Sequence, residues 1–99
     1  MKKIELKRQI WDNEKGRTFE DIKGYKFSYN DIQYGVYNTR ENTCQHHKGY
    51  IAILICDNEK SNGLSFSNRT FRTIKECCKA TMEIIDSKKK VILERIKEV

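Results

Sequence analysis

The sequence predicts an α+β fold: an antiparallel sheet of four to five strands packed on one long C-terminal helix. Three observations carry that expectation. Several short runs in the first half alternate apolar and polar side chains with the period of two of a half-buried strand. A later run, YIAILIC, is continuously apolar and reads as a strand covered on both faces. After residue 73 the apolar period becomes helical. The 99 residues form one domain, 1–99, with a single modest core.

In IELKRQIW, Ile4, Leu6 and Ile10 point one way and Glu5, Lys7 and Gln9 the other, which predicts the first strand. DNEKG is a turn. RTFEDIK fits no single period and ends at Gly24. YKFSY alternates Tyr25, Phe27 and Tyr29 against Lys26 and Ser28, a second strand. Asn30–Asp31 makes a tight turn into IQYGVY, where Ile32, Tyr34 and Val36 share a face and Tyr37 is out of phase. A loop from Asn38 to Gly49 leads into Tyr50–Cys56, expected as the central strand. After the polar loop DNEKSNG, LSFS forms a short last strand with Leu64 and Phe66 inward.

Thr73 with Glu76 three residues on is a helix-start signature. The apolar stripe then runs Ile74, Cys78, Met82, Ile85, Ile92, Ile96 and Val99, which places Cys78 in the core and Cys77 at its edge. A helix over about 74–98 would be ~37 Å long, against ~20–23 Å for strands of six or seven residues. Either the helix breaks near Asp86–Lys90 and folds back, or its apolar end reaches past the sheet. In the second case Val91, Ile92, Leu93 and Ile96 offer a homodimer surface.

Composition narrows the function. Of the chain, 37 % is apolar and 34 % charged, and the formal net charge is +6. Residues 1–66 carry 11 Lys/Arg against 9 Asp/Glu, while residues 67–99 carry 9 against 5, so the excess lies C-terminally. Such a balance attracts phosphate backbones or acidic protein surfaces. No window approaches the ~18 apolar residues of a membrane span, so no membrane association is expected. The opening residues lack the apolar stretch of a signal peptide. A cytoplasmic location is therefore expected, and Cys44, Cys56, Cys77 and Cys78 are expected as thiols.

The densest cluster of chemistry-capable residues is TCQHHKGY, Thr43–Tyr50. Cys44 and His46 fall on one side of an extended chain and are the metal candidates, but His47 points away and no paired CxxC or HxxxH spacing accompanies them. The segment reads as a polar loop, with no metal and no cofactor expected. Cys44 as a nucleophile lacks a visible orienting partner. The carboxylates Glu20–Asp21 and Asp57/Glu59 sit in solvated segments. No phosphate-cradling glycine loop is present, and no enzymatic activity is expected.

Binding residues stand out more clearly. Tyr25, Tyr29, Tyr34, Tyr37 and Tyr50 all fall on predicted strands, fringed by Lys23, Lys26, Arg40 and Lys48. They form either a core face or an aromatic recognition face of the kind that stacks bases. The partner or nucleic-acid candidates are Tyr25, Tyr29, Tyr37, Arg40 and Lys48, with Tyr37 the most exposed. Arg69, Arg72, Lys75 and Lys79 gather at the start of the helix and complete the set.

RTFRTIKECCKA, Arg69–Ala80, resembles the F-x-T-x-x-E-A junction of the sheet-plus-helix arm domains of mobile-element integrases. Phe71, Thr73 and Glu76 match, and Cys77 replaces the usual small residue. The resemblance covers about a third of the chain and implies a sheet face that docks in a DNA groove. In style the chain is also similar to small phage accessory proteins, anti-CRISPR inhibitors among them. That likeness implies a non-catalytic basic protein that engages and blocks a host nucleic-acid-handling complex such as a CRISPR nuclease. The alternative is a direct DNA- or RNA-binding module using the basic, tyrosine-rich sheet face. The expected partner is accordingly a host nucleoprotein complex or nucleic acid.

Overall fold

The computed structural model describes residues 2–40 and 48–97. Among these residues four strands, β1 (Ile4–Asp12), β2 (Gly16–Tyr29), β3 (Ile32–Asn38) and β4 (Tyr50–Ile55), precede one helix, α1 (Ile74–Lys97). The strands form one antiparallel sheet in the order β1-β2-β3-β4. This is the expected α+β fold, with four strands.

The ambiguous RTFEDIK is the first half of β2, which runs for 14 residues and serves two partners. Gly16–Gly24 pairs with β1, and Tyr25–Tyr29 pairs with β3. The strand changes partner at Gly24, where a Cβ would stand 2.4 Å from the Val36 carbonyl and 2.7 Å from a Leu6 methyl. Only glycine admits that close approach. Beyond it, the β1–β2 hairpin folds across the side of β3 and β4 that α1 does not cover. Leu6, Ile22, Tyr37 and Ile53 pack there, joined by Ile4, Ile51 and Ile55.

On the other side Ile32, Tyr34, Val36, Ala52 and Leu54 meet Cys77, Ile85 and Ile92 of α1. Phe27 stacks on Tyr34 with centroids 5.6 Å apart. Each of the large side chains buried here contributes roughly 1.5–3 kcal/mol. β4 is thus covered on both faces, as its unbroken apolar sequence requires.

LSFS does not form a regular strand but bonds along the outer edge of β4. Leu54 N donates to Leu64 O (2.8 Å) and Phe66 N to Ala52 O (3.1 Å). Phe66 packs on the helix-side core, whereas Leu64 is 37 % exposed rather than inward. On its other side the same segment meets β1, through Gln9 N donating to Gly63 O (3.2 Å). The Gln9 side-chain amide donates to the carbonyls of Lys60 (2.9 Å) and Asn62 (2.7 Å). The sheet therefore curls until its first strand touches the segment that follows its last. Gly63, at φ +83°, sits at the closure, where a Cβ would lie 2.6 Å from Lys7 O.

Two turns and a kink set the remaining geometry. Asn30 (φ 52°) and Asp31 (φ 69°) form the two-residue hairpin turn that matches strand twist. Thr73 Oγ1 accepts from Glu76 N at 3.1 Å and caps α1. The helix kinks at Lys88 (φ −125°, ψ 19°), so its last turns fold back instead of overhanging. Ile92 is buried and Leu93 and Ile96 pack on the same core, which leaves Val91 exposed among the four residues expected on a dimer surface. Asn58 Nδ2 (2.7 Å) and Ser61 Oγ (3.2 Å) both donate to Arg95 O and tie down the end of the helix. The buried helical stripe is Cys77, Thr81, Ile85 and Ile92. Cys77 is core and Cys78 half-buried, the reverse of the sequence expectation.

Candidate nucleic-acid interface

Three chain segments converge at one end of the sheet. Thr39 N donates to Gly49 O (2.8 Å), and Gly49 N donates to Thr39 Oγ1 (2.9 Å). Tyr50 and Phe71 exchange both backbone bonds, at 2.7 and 2.8 Å. Thr70 Oγ1 donates to Lys48 O at 3.4 Å. These bonds bring Arg40, Lys48, Arg69 and Arg72 to one end of the molecule, with Lys75 in the first turn of α1 and Lys79 one turn further along. All six are exposed. The Arg69 guanidinium lies 5.3 Å from the centroid of the Phe71 ring, a cation–π contact that holds it at this end. Glu76 is the acidic residue of the capped turn.

Lys7, Arg8 and Lys23 of the β1–β2 hairpin are placed differently, whereas Lys15 and Arg17 of the same hairpin make no ion pair among the described residues. Register sets Lys7 opposite Asp21, Arg8 opposite Glu20 and Glu5 opposite Lys23. The resulting ion pairs measure 2.8, 3.0 and 3.9 Å. The Asp21 hydrogen bond and charge raise the pKa of Lys7. Among the described residues, none of the six cations at the basic end makes such a pair.

The tyrosines do not form an open face. Tyr29 packs against the helix-side core, and its hydroxyl donates to Asp86 of α1 (2.9 Å). Tyr34 and Tyr50 belong to the same side, and Tyr25 is half-buried. Tyr37, expected as the most exposed, is 3 % exposed because its opposite phase points it into the hairpin-side core. The expectation missed this because an out-of-phase residue is exposed only where the second face of a sheet is bare. Arg8 Nη1 donates to the Tyr37 hydroxyl at 3.1 Å.

Beside Tyr37 opens a feature the sequence did not suggest. Past the Gln9–Gly63 contact, β1 and the segment after Gly63 diverge and leave a cleft of about 630 Å³. Tyr37, Ile51 and Ile53 line it with Ile10 and Trp11 of β1, and with Ser65, Ser67 and Asn68. Trp11 is 75 % exposed. Its position in the polar phase of β1, beside Lys7 and Gln9, was the available sign.

Burial pushes the Cys77 thiol up to about 12 and raises Cys78 and Cys56. All three remain protonated and weakly nucleophilic near neutrality. Cys44 and His46 lie outside the described residues, and among the described residues no group of His, Cys, Asp and Glu is arranged to hold a metal. No described helix is long and apolar enough to cross a membrane.

No family model, curated protein or solved structure matches the chain.

Proposed function

We propose that this is a non-catalytic binding protein that grips the phosphate backbone of nucleic acid, free or within a nucleoprotein complex, with its basic end. One observation carries the reading: Arg40, Lys48, Arg69, Arg72, Lys75 and Lys79 are gathered at one end without ion pairs among the described residues, while Lys7, Arg8 and Lys23 of the hairpin are matched with carboxylates. Unmatched, clustered cations are the footprint of polyanion binding. The integrase-like junction at Arg69–Ala80 falls in the same place. The tyrosine sheet face gives this reading no support, because α1 and the hairpin cover it.

Fluorescence anisotropy of a labelled oligonucleotide across about 50–200 mM salt tests it. Each phosphate contact contributes ~0.7–0.9 to the slope of log K against log salt. Replacing Arg69, Arg72 and Lys75 by Ala should flatten the slope by about two to three, and Lys7→Ala should leave it unchanged. Absence of binding at the lowest salt, or a slope indifferent to the triple variant, sinks the proposal.

A second reading draws on the exposed indole of Trp11, since tryptophan anchors protein interfaces. Here the protein docks on the protein part of a host nucleic-acid-handling complex and blocks it, as a phage accessory inhibitor does. Capture of such a complex from host extract after nuclease treatment, lost in Trp11→Ala, selects this reading.

A further inference from the structure

We propose that the cleft beside Trp11 receives an unpaired nucleobase, so that the protein prefers single-stranded over duplex nucleic acid. The inference rests on the basic end binding the phosphates of the same strand.

Three features of the cleft point to a base. Its floor sets the ring of Tyr37 and the side chains of Ile51 and Ile53 beside Arg8 and Gln9, so apolar groups adjoin a cation and an amide. Its far wall presents Ser65, Ser67 and Asn68, whose hydroxyl and amide groups both donate and accept. A base edge carries the same mixture of donors and acceptors. At the mouth stands Trp11, an exposed indole of the kind on which bases stack irrespective of sequence.

The cleft is also continuous with the basic end. Ser67 Oγ accepts from Arg69 N at 3.3 Å, so the polar wall runs directly into the first cation of the helix-start group. Ile51 on the floor follows Tyr50, whose backbone is bonded to Phe71. A strand with one base in the cleft would leave it past residues 67–69, in the direction of the basic end. Bases in a duplex are stacked and paired and do not reach the floor. A peptide would also fill a slot between strand edges, but it gives the neighbouring cations no phosphate to neutralise.

Trp11 is the single tryptophan of the chain, so its emission reports on the cleft directly. The probes are an oligothymidylate, a duplex of matched charge and inorganic polyphosphate. The oligothymidylate should quench Trp11 saturably, and polyphosphate should bind without quenching. Trp11→Ala should weaken oligothymidylate binding roughly ten- to a hundredfold, the loss of one stacked base. It should leave polyphosphate binding and the circular dichroism unchanged, because the side chain is exposed. Tight binding of all three probes with Trp11 unquenched overturns the cleft assignment and leaves the basic end standing. Failure of every polyanion to bind overturns both. Quenching by a host protein, but not by the oligothymidylate, overturns the base assignment in favour of protein docking.

Discussion

The two sides of the sheet are packed to different degrees. On the helix side, eight buried residues from β3, β4 and α1 form a continuous core with half-buried aromatics around it. On the hairpin side, four buried residues do the same work, and the cleft opens beside them. The helix side is sealed by a kinked helix tied at its end through Asn58 and Ser61. The hairpin side is closed at Gln9–Gly63 and gapes beyond it. Stability is therefore concentrated on one side, and the chemistry open to partners lies on the other and at its rim. Loosely packed surface is where binding residues are expected, since a ligand needs room that a filled core does not leave.

The largest expected effect would come from truncating the better-packed side. Ile85 is fully buried among strand and helix side chains, and Ile85→Ala should cost about 3–5 kcal/mol. Ile22→Ala in the smaller core should cost about 2–3 kcal/mol, because fewer buried side chains surround it. Urea denaturation midpoints at constant m measure both. Equal losses would break the comparison.

This asymmetry was only partly legible in the sequence. The alternation at Ile32–Val36 and the unbroken run at Tyr50–Cys56 named the strands, because burial on one or both faces writes itself directly into period and composition. Arg69, Arg72 and Lys75 were equally visible as a basic group. The course of the hairpin was not. It depends on Gly24, whose missing side chain looks like a terminator rather than a bend inside a strand, and it alone explains why Tyr37 is buried. The helical stripe reads one residue out of place at its start, since the adjacent Cys77 and Cys78 are equally apolar and Thr81 counts as polar in a hydropathy pattern yet faces the core. The cleft is a product of tertiary divergence between residues 10–11 and 65–68, and no local pattern records that.

Gly63 probes the closure that defines the looser side. Ala at this position faces both a left-handed backbone and the Lys7 carbonyl, for an expected loss of about 2–3 kcal/mol. Gly16 shares the positive φ, but a Cβ there would meet only the Trp11 ring at an ordinary 4.0 Å, so Gly16→Ala should cost about 1 kcal/mol. The difference between the two measures the closure itself. Amide exchange at Gln9 should quicken in Gly63→Ala and not in Gly16→Ala. Identical losses would mean that only the turn conformation matters and that the sheet edges do not hold each other.

The smallest effect sharpens the comparison through pH. Cys77 lies at the centre of the helix side, and burial, helped by the adjacent Cys78, moves its pKa from 9.0 up to about 12. A hydrogen bond within reach of Thr81 opposes the shift without cancelling it. Above pH 9 the unfolded chain gives up this proton while the folded chain keeps it, so the folded state binds more protons. The thiol's contribution to stability is thus complete below about pH 9 and is lost as pH rises toward 12. The steepest slope from this one group is about 1.4 kcal/mol per pH unit. Cys78 and Tyr34, both raised by burial on the same side, act in the same direction. Cys77→Ala should start less stable at neutral pH, because it leaves a small void, and then decline less steeply than the parent between about pH 9 and pH 10.5. Parallel curves for the two proteins would show that Cys77 is not sealed from solvent, and the helix side would then be less tightly closed than its packing implies.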